Sequence, residues 1–179
     1  MEARMRLQPW AMLLVFSLAG VTLKLSDLFG EKGGYILPYL TAGLSGAFFG
    51  LLITRDGFSS SLVIGVIVGV ALSAKVNRPN LIFGSLVTFL SSLLMGYKQP
   101  LMWLLLIVSF FSFIDEVGHD RFSSGEGFIS LFFKHRSALK VVIALLAVSS
   151  LLPYTQALGF FCFDISYDVV SWLLKPEDL

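Results

Sequence analysis

Four stretches of this chain, residues 8–23, 35–54, 59–74 and 80–97, hold no ionisable side chain other than tyrosine. A small soluble domain has too much surface to hide runs of this length and interrupts them with charge. Composition agrees: 56% of the 179 residues are hydrophobic and 14% are charged, against about 45–50% and about 25% in a soluble domain. A bilayer removes the difficulty, because about 20 apolar helical residues cross its hydrocarbon core. The expected fold class is therefore all-α, a polytopic transmembrane helical bundle, with residues 1–179 forming a single integral membrane domain.

Six spanning helices are expected, at roughly 8–26, 35–54, 59–76, 80–97, 100–117 and 138–157. A seventh apolar segment, 158–174, carries Asp164 and Asp168. Those charges suit an amphipathic or half-buried helix with a solvated acidic face better than a span. Arg4 and Arg6 ahead of the apolar run Trp10–Leu23 look like the start of a signal peptide. No convincing small-x-small cleavage site precedes Lys24 and four more apolar segments follow, so the run is taken as the first span.

The breaks between spans have local causes. Gly30-Glu31-Lys32-Gly33-Gly34, Arg55-Asp56-Gly57, Asn77-Arg78-Pro79-Asn80 and Gln99-Pro100 all carry turn chemistry. Asp56 is expected to cap the third helix or pair with Arg55, and Asp27 to cap a helix end or pair with Lys24. Within the polar stretch 115–137, Phe128–Phe133 is apolar but too short to span, so an interfacial or re-entrant piece is expected. Lys24, Lys32, Lys75, Arg78, Arg121, Lys134, Arg136 and Lys140 make eight basic residues on one side. Arg4, Arg6, Arg55, Lys98 and Lys175 make five on the other. The bias places loops one, three and five in the cytoplasm.

Gly46 and Gly50 in the second span, and Gly65 and Gly69 in the third, form small-residue strips that let a helix approach closely. Packing inside one bundle is the plainer use, and a homo-oligomer contact the alternative. The single cysteine, Cys162, excludes an internal disulfide. A net charge of +1 gives no basic field for nucleic acid.

Three polar clusters gather in the loops assigned to one side. Asp115, Glu116, His119 and Asp120 fall at helical spacings that stack them on one face. Carboxylates with one imidazole suit a hard divalent cation, magnesium or manganese, and Glu116-x-x-His119 has the spacing used in metal-binding bundles. An ordinary polar helix end is the alternative. Lys134, Arg136 and Lys140, with Lys75 and Arg78, could bind phosphate oxygens; basic residues at an interface also serve as topology anchors. His119 and Asp120 are the candidate acid–base groups. His135 is the second histidine.

Phosphate-loop, zincin, serine-hydrolase and Cys-x-x-Cys motifs are absent from the sequence. Three readings follow. One is a membrane enzyme acting at the cytoplasmic interface on a phosphate-bearing lipid or prenyl substrate with a divalent cation. The second is a small transporter or channel for cations, protons or a small solute, its polar path lined by hydroxyls such as Thr41, Ser45, Ser73, Thr88, Ser91 and Ser92. The third is a non-catalytic membrane subunit.

Overall fold

A computed structural model describes residues 8–174, so Arg4, Arg6 and Lys175 lie outside the described residues. The described chain is all-α, with eight helices: α1 (Pro9–Glu31), α2 (Leu37–Ile53), α3 (Gly57–Leu72), α4 (Pro79–Met95), α5 (Met102–Phe122), α6 (Phe128–Lys134), α7 (Ser137–Val148) and α8 (Tyr154–Leu173). Prolines 9, 38 and 79 sit in the first turns of α1, α2 and α4, where a missing N–H costs nothing. Asp56 caps α3 by accepting from the Ser59 N–H at 2.8 Å. Asp27 stands 3.9 Å from Lys24, but its nearer partner is Arg78.

The C-terminal third departs from the expected spans. The segment 138–157 is not one helix: α7 ends at Val148, and Pro153 opens α8. At 12 residues, α7 is only about 18 Å long at 1.5 Å per residue. Its end is a left-handed cap at Ser150 (φ 59°), with the Leu151 N–H bonded to the Leu146 carbonyl. Glycine usually fills that position; the signal that the expected span passed over is Pro153, which a helix interior does not tolerate. The segment read as an amphipathic tail is the body of the 20-residue α8, packed along α1.

The helices form two rows. In one, α8, α1, α2 and α4 lie side by side in that order. In the other, α3 packs on α5 and α5 on α7, with α6 beside α5 and α7. The glycine strips build these rows from within the chain. Gly46 and Gly50 lie against Gly84, Thr88 and Ser91 of α4, and Gly65 and Gly69 lie against Val108, Ser109 and Ser112 of α5. A second copy using either strip would have to displace α4 or α5. Where the rows meet, Met12, Phe16, Leu52, Ile53, Leu62, Leu104, Val108, Ile143, Leu152 and Phe160 form a continuous core. These residues come from the start of α1, the end of α2, the starts of α3 and α5, the end of α7 and the start of α8. All are the same end of the bundle, so one half is filled with hydrocarbon and the other is left to the site.

Two described helices, α1 and α5, are long and apolar enough to cross a membrane. Only 33% of the apolar window of α1 and 39% of that of α5 is buried inside the chain. Of the shorter apolar helices, α3 is largely buried, whereas α4 faces outward: its Leu86, Leu90 and Leu94 are 56%, 60% and 87% exposed.

Adding a side chain inside the α3–α5 seam tests the row structure. Gly69→Val is expected to lose about 1–3 kcal/mol through overpacking against Ser109 and Ser112. The control is Gly125→Ala, where an added methyl would come no closer than 3.5 Å, to the Phe122 carbonyl. That variant should melt like the native protein in detergent.

Candidate functional site

Between the rows, at the end opposite the core, lies a cleft of about 710 Å³. Its inner walls are apolar: Phe16, Phe49, Val63, Val66, Ile67, Phe160 and Phe163, with the hydroxyls of Ser45, Thr88 and Ser112. Its rim carries six cations, seven carboxylates and two histidines. Hydrocarbon packing drives charge out of the filled half, and the rim is where the helix ends can solvate it. All nine residues singled out in the sequence as site candidates, Lys75, Arg78, Asp115, Glu116, His119, Asp120, Lys134, Arg136 and Lys140, line this one cleft.

Within it the 115–120 cluster is divided rather than convergent. Asp115 is 3% exposed and accepts two backbone hydrogen bonds, from the Ala138 N–H at 2.9 Å and the Leu139 N–H at 2.8 Å. It thereby caps α7 from another helix, satisfying donors that a helix start leaves unpaired. Glu116 takes Arg136, with Oε2 accepting from Nη2 at 3.2 Å and Oε1 3.2 Å from Nε. The Nε–H is not aligned to that oxygen and is left without a hydrogen-bond partner. Asp120 pairs with Lys75 from the α3–α4 loop. His119 Nδ1 stands 3.3 Å from the Phe133 carbonyl. Gly118 makes this approach feasible, because any side chain there would strike the Phe133 ring. The four groups thus serve four separate partners, and among the described residues no three His, Cys, Asp or Glu side chains are grouped as a metal site requires.

The basic residues are mostly engaged as well. Arg78 bridges Asp27 and Glu31 of α1, at 3.2 Å each. Lys140 lies 2.8 Å from Asp164 and 3.9 Å from Asp168. Lys134 is exposed on the rim and has no anionic partner among the described residues. Arg136 holds a left-handed backbone (φ 48°) at the head of α7, a strained conformation for a non-glycine residue. Burial pulls its pKa down, but the carboxylate of Glu116, aided by Tyr167 and Asp27, more than offsets this and holds the guanidinium above its ordinary value.

Sequence reasoning missed the part played by α8. Tyr167 donates to Asp27 at 3.2 Å and lies within electrostatic reach of Arg136, bringing the two rows together at the rim. The sequence pattern assigns Asp164 to a solvated face, yet its side chain is 24% exposed and turned to Lys140. The available signal was the spacing 164, 167, 168, which sets three polar groups on one helical face.

Capping and surface pairing predict different losses. Asp115→Ala should cost about 1–2 kcal/mol, as a lost helix cap does, with faster amide exchange at Ala138 and Leu139. Asp120→Ala, which breaks an exposed pair, should leave the melting temperature unchanged.

Compared with known proteins, the chain matches no family model, no curated protein and no solved structure, so its function has to be read from the cleft itself.

Proposed function

We propose that this is a multi-pass membrane protein that takes the hydrocarbon of a phosphate-bearing lipid or prenyl compound into the cleft and acts on its head group at the charged rim, as an interfacial membrane enzyme. One observation carries this reading: apolar walls and a charged rim in a single cavity of about 710 Å³. Such a cavity matches an amphiphile better than a polar solute, for which apolar walls offer no hydrogen bonds.

In this reading six helices, α1 to α5 and α8, cross the bilayer, the 12-residue α7 reaches only part-way through it, and α6 lies at its surface. Exposed Phe128, Ile129 and Leu131 suit an interfacial position. The rim faces the cytoplasm, because its end of the bundle carries the larger set of Lys and Arg.

Lys134, without an anionic partner among the described residues, supplies the cation that a phosphate needs. Lys75 and Arg78 offer further donors, since their exposed pairs exchange partners at little cost. His119 is the acid–base group. A carbonyl oxygen only accepts, so the neutral ring carries its proton on Nδ1 toward Phe133 and keeps the Nε2 lone pair for a substrate proton. A magnesium or manganese ion would enter with the phosphate rather than wait in a protein cage, as Asp115, Glu116 and Asp120 are already engaged.

Dodecyl phosphate, compared with dodecanol, tests the head-group requirement in detergent. Saturable binding of the phosphate and none of the alcohol is expected, with Lys134→Ala weakening it about tenfold, or ~1.4 kcal/mol. Equal binding of both compounds would remove the phosphate from the proposal. Manganese followed by electron paramagnetic resonance should bind saturably only when dodecyl phosphate is present.

A second reading, a transporter, draws on the two-row build with its cleft closed at one end. Ion flux into vesicles independent of any phosphate amphiphile would favour it.

A further inference from the structure

The cleft has two loosely packed seams through which a lipid could pass sideways, α3–α4 and α7–α8; the other seams between neighbouring helices are close-packed or lie in the filled half. The α3–α4 seam is crossed at the charged end by the loop 73–78, pinned there by Lys75 to Asp120 and Arg78 to Asp27. A head group moving sideways at rim depth would meet that loop. The α7–α8 seam has no such obstruction, because the connection at 149–153 lies at the filled end.

The two helices flanking this seam belong to different rows. α7 is fixed to its own row by Asp115 at its start and by its packing on α5. α8 is fixed to α1, with Gly159 against the Phe16 ring and Gly20 against the Phe163 backbone. Toward the rim the seam is spanned by the side chain of Lys140, 2.8 Å from Asp164 and 3.9 Å from Asp168. Behind it, Leu139, Phe160 and Phe163 line the cleft. In front, Val141, Leu145, Ile165 and Val169 are exposed, at 48%, 62%, 59% and 46%. Apolar side chains therefore lie on both sides of the seam, and at rim height it is closed by one cation shared between two carboxylates.

Resting on the lipid reading above, we propose that the α7–α8 seam is the lateral entry for the lipid and that Lys140 is its latch, exchanging Asp164 and Asp168 for the phosphate of the entering head group. The hydrocarbon slides between the helices while the charged head stays at rim depth, where Lys140 meets it first. Phosphate carries more charge than a single carboxylate and offers several acceptor oxygens, so the exchange conserves the ammonium's hydrogen bonds. No backbone hydrogen bond breaks, since the seam is joined by side chains.

The test uses the full chain in phosphatidylcholine vesicles containing a phosphatidic acid with a photoreactive diazirine on its acyl chain, and labelled peptides are identified by mass spectrometry. In a Cys162→Ser background, the pair Lys140→Cys/Asp164→Cys is compared before and after bridging with a bis-methanethiosulfonate. Labelling of Phe160 and Phe163 is expected before bridging, lost when the seam is bridged, and recovered on reduction. The variant Asp164→Asn/Asp168→Asn, which releases the latch without altering shape, should label faster than the native protein. Cleft labelling that persists in the bridged protein would overturn the portal and leave the lipid reading standing. Slower or unchanged labelling of the double Asn variant would overturn the latch. Absence of cleft labelling in the native protein and every variant would overturn the portal together with the lipid reading. Unchanged melting temperatures establish that each variant is folded.

Discussion

Hydrocarbon and charge exclude one another, and in this chain that exclusion is arranged along the length of the bundle. The starts of α1, α3, α5 and α8 and the ends of α2 and α7 meet in a core without an ionisable group. The opposite ends of α1, α5, α7 and α8, with the loop 73–78 and residues 134–136, carry the ionisable groups of the rim. Because a buried charge is tolerated only when paired or hydrogen-bonded, each rim residue that lies between the rows needs a partner, and those partners become the bonds that hold the open half together. The fold is thus tied by dispersion and burial at one end and by electrostatics at the other.

Asp115 shows how a candidate catalytic group can be structural. Its carboxylate replaces the side-chain cap that α7 lacks. The left-handed backbone of Arg136 turns the chain sharply enough for α7 to begin at that carboxylate, and the Arg136 side chain returns to Glu116 on the same helix as Asp115. Two adjacent acidic residues thereby fix one short helix, one through backbone donors and one through a guanidinium. What remains for chemistry is the exposed part of the rim: Lys134, the Nε2 edge of His119, and pairs that solvent already weakens.

The row structure also explains why the cleft exists. Close approach through Gly46, Gly50, Gly65 and Gly69 is used within rows, so the strongest packing runs parallel to the cleft and not across it. Across the cleft, contact depends on the core at one end and on Arg136, Tyr167, Lys140 and Asp164 at the other. The rows are thus joined by a few part-buried side-chain contacts at one end and by a continuous packed core at the other.

The sequence by itself determined the all-α class, because apolar runs free of charge admit few alternatives to packed helices. It also determined that the charges gather at one end, since they were confined to alternate loops, and it located the turns wherever glycine or proline marked them. The exception is the break at 149–153, which Pro153 marked but a single span over 138–157 passed over; and the inward face of α8, whose aspartates have the pattern of a solvated surface, was not determined by the sequence. Only the tertiary structure decided which partner each rim residue takes. Asp115 and His119 are neighbours by helical spacing, but their side chains serve α7 and the Phe133 carbonyl. Spacing along a helix specifies a shared face, whereas partnership depends on what the opposing helices bring to that face, and that is a property of packing.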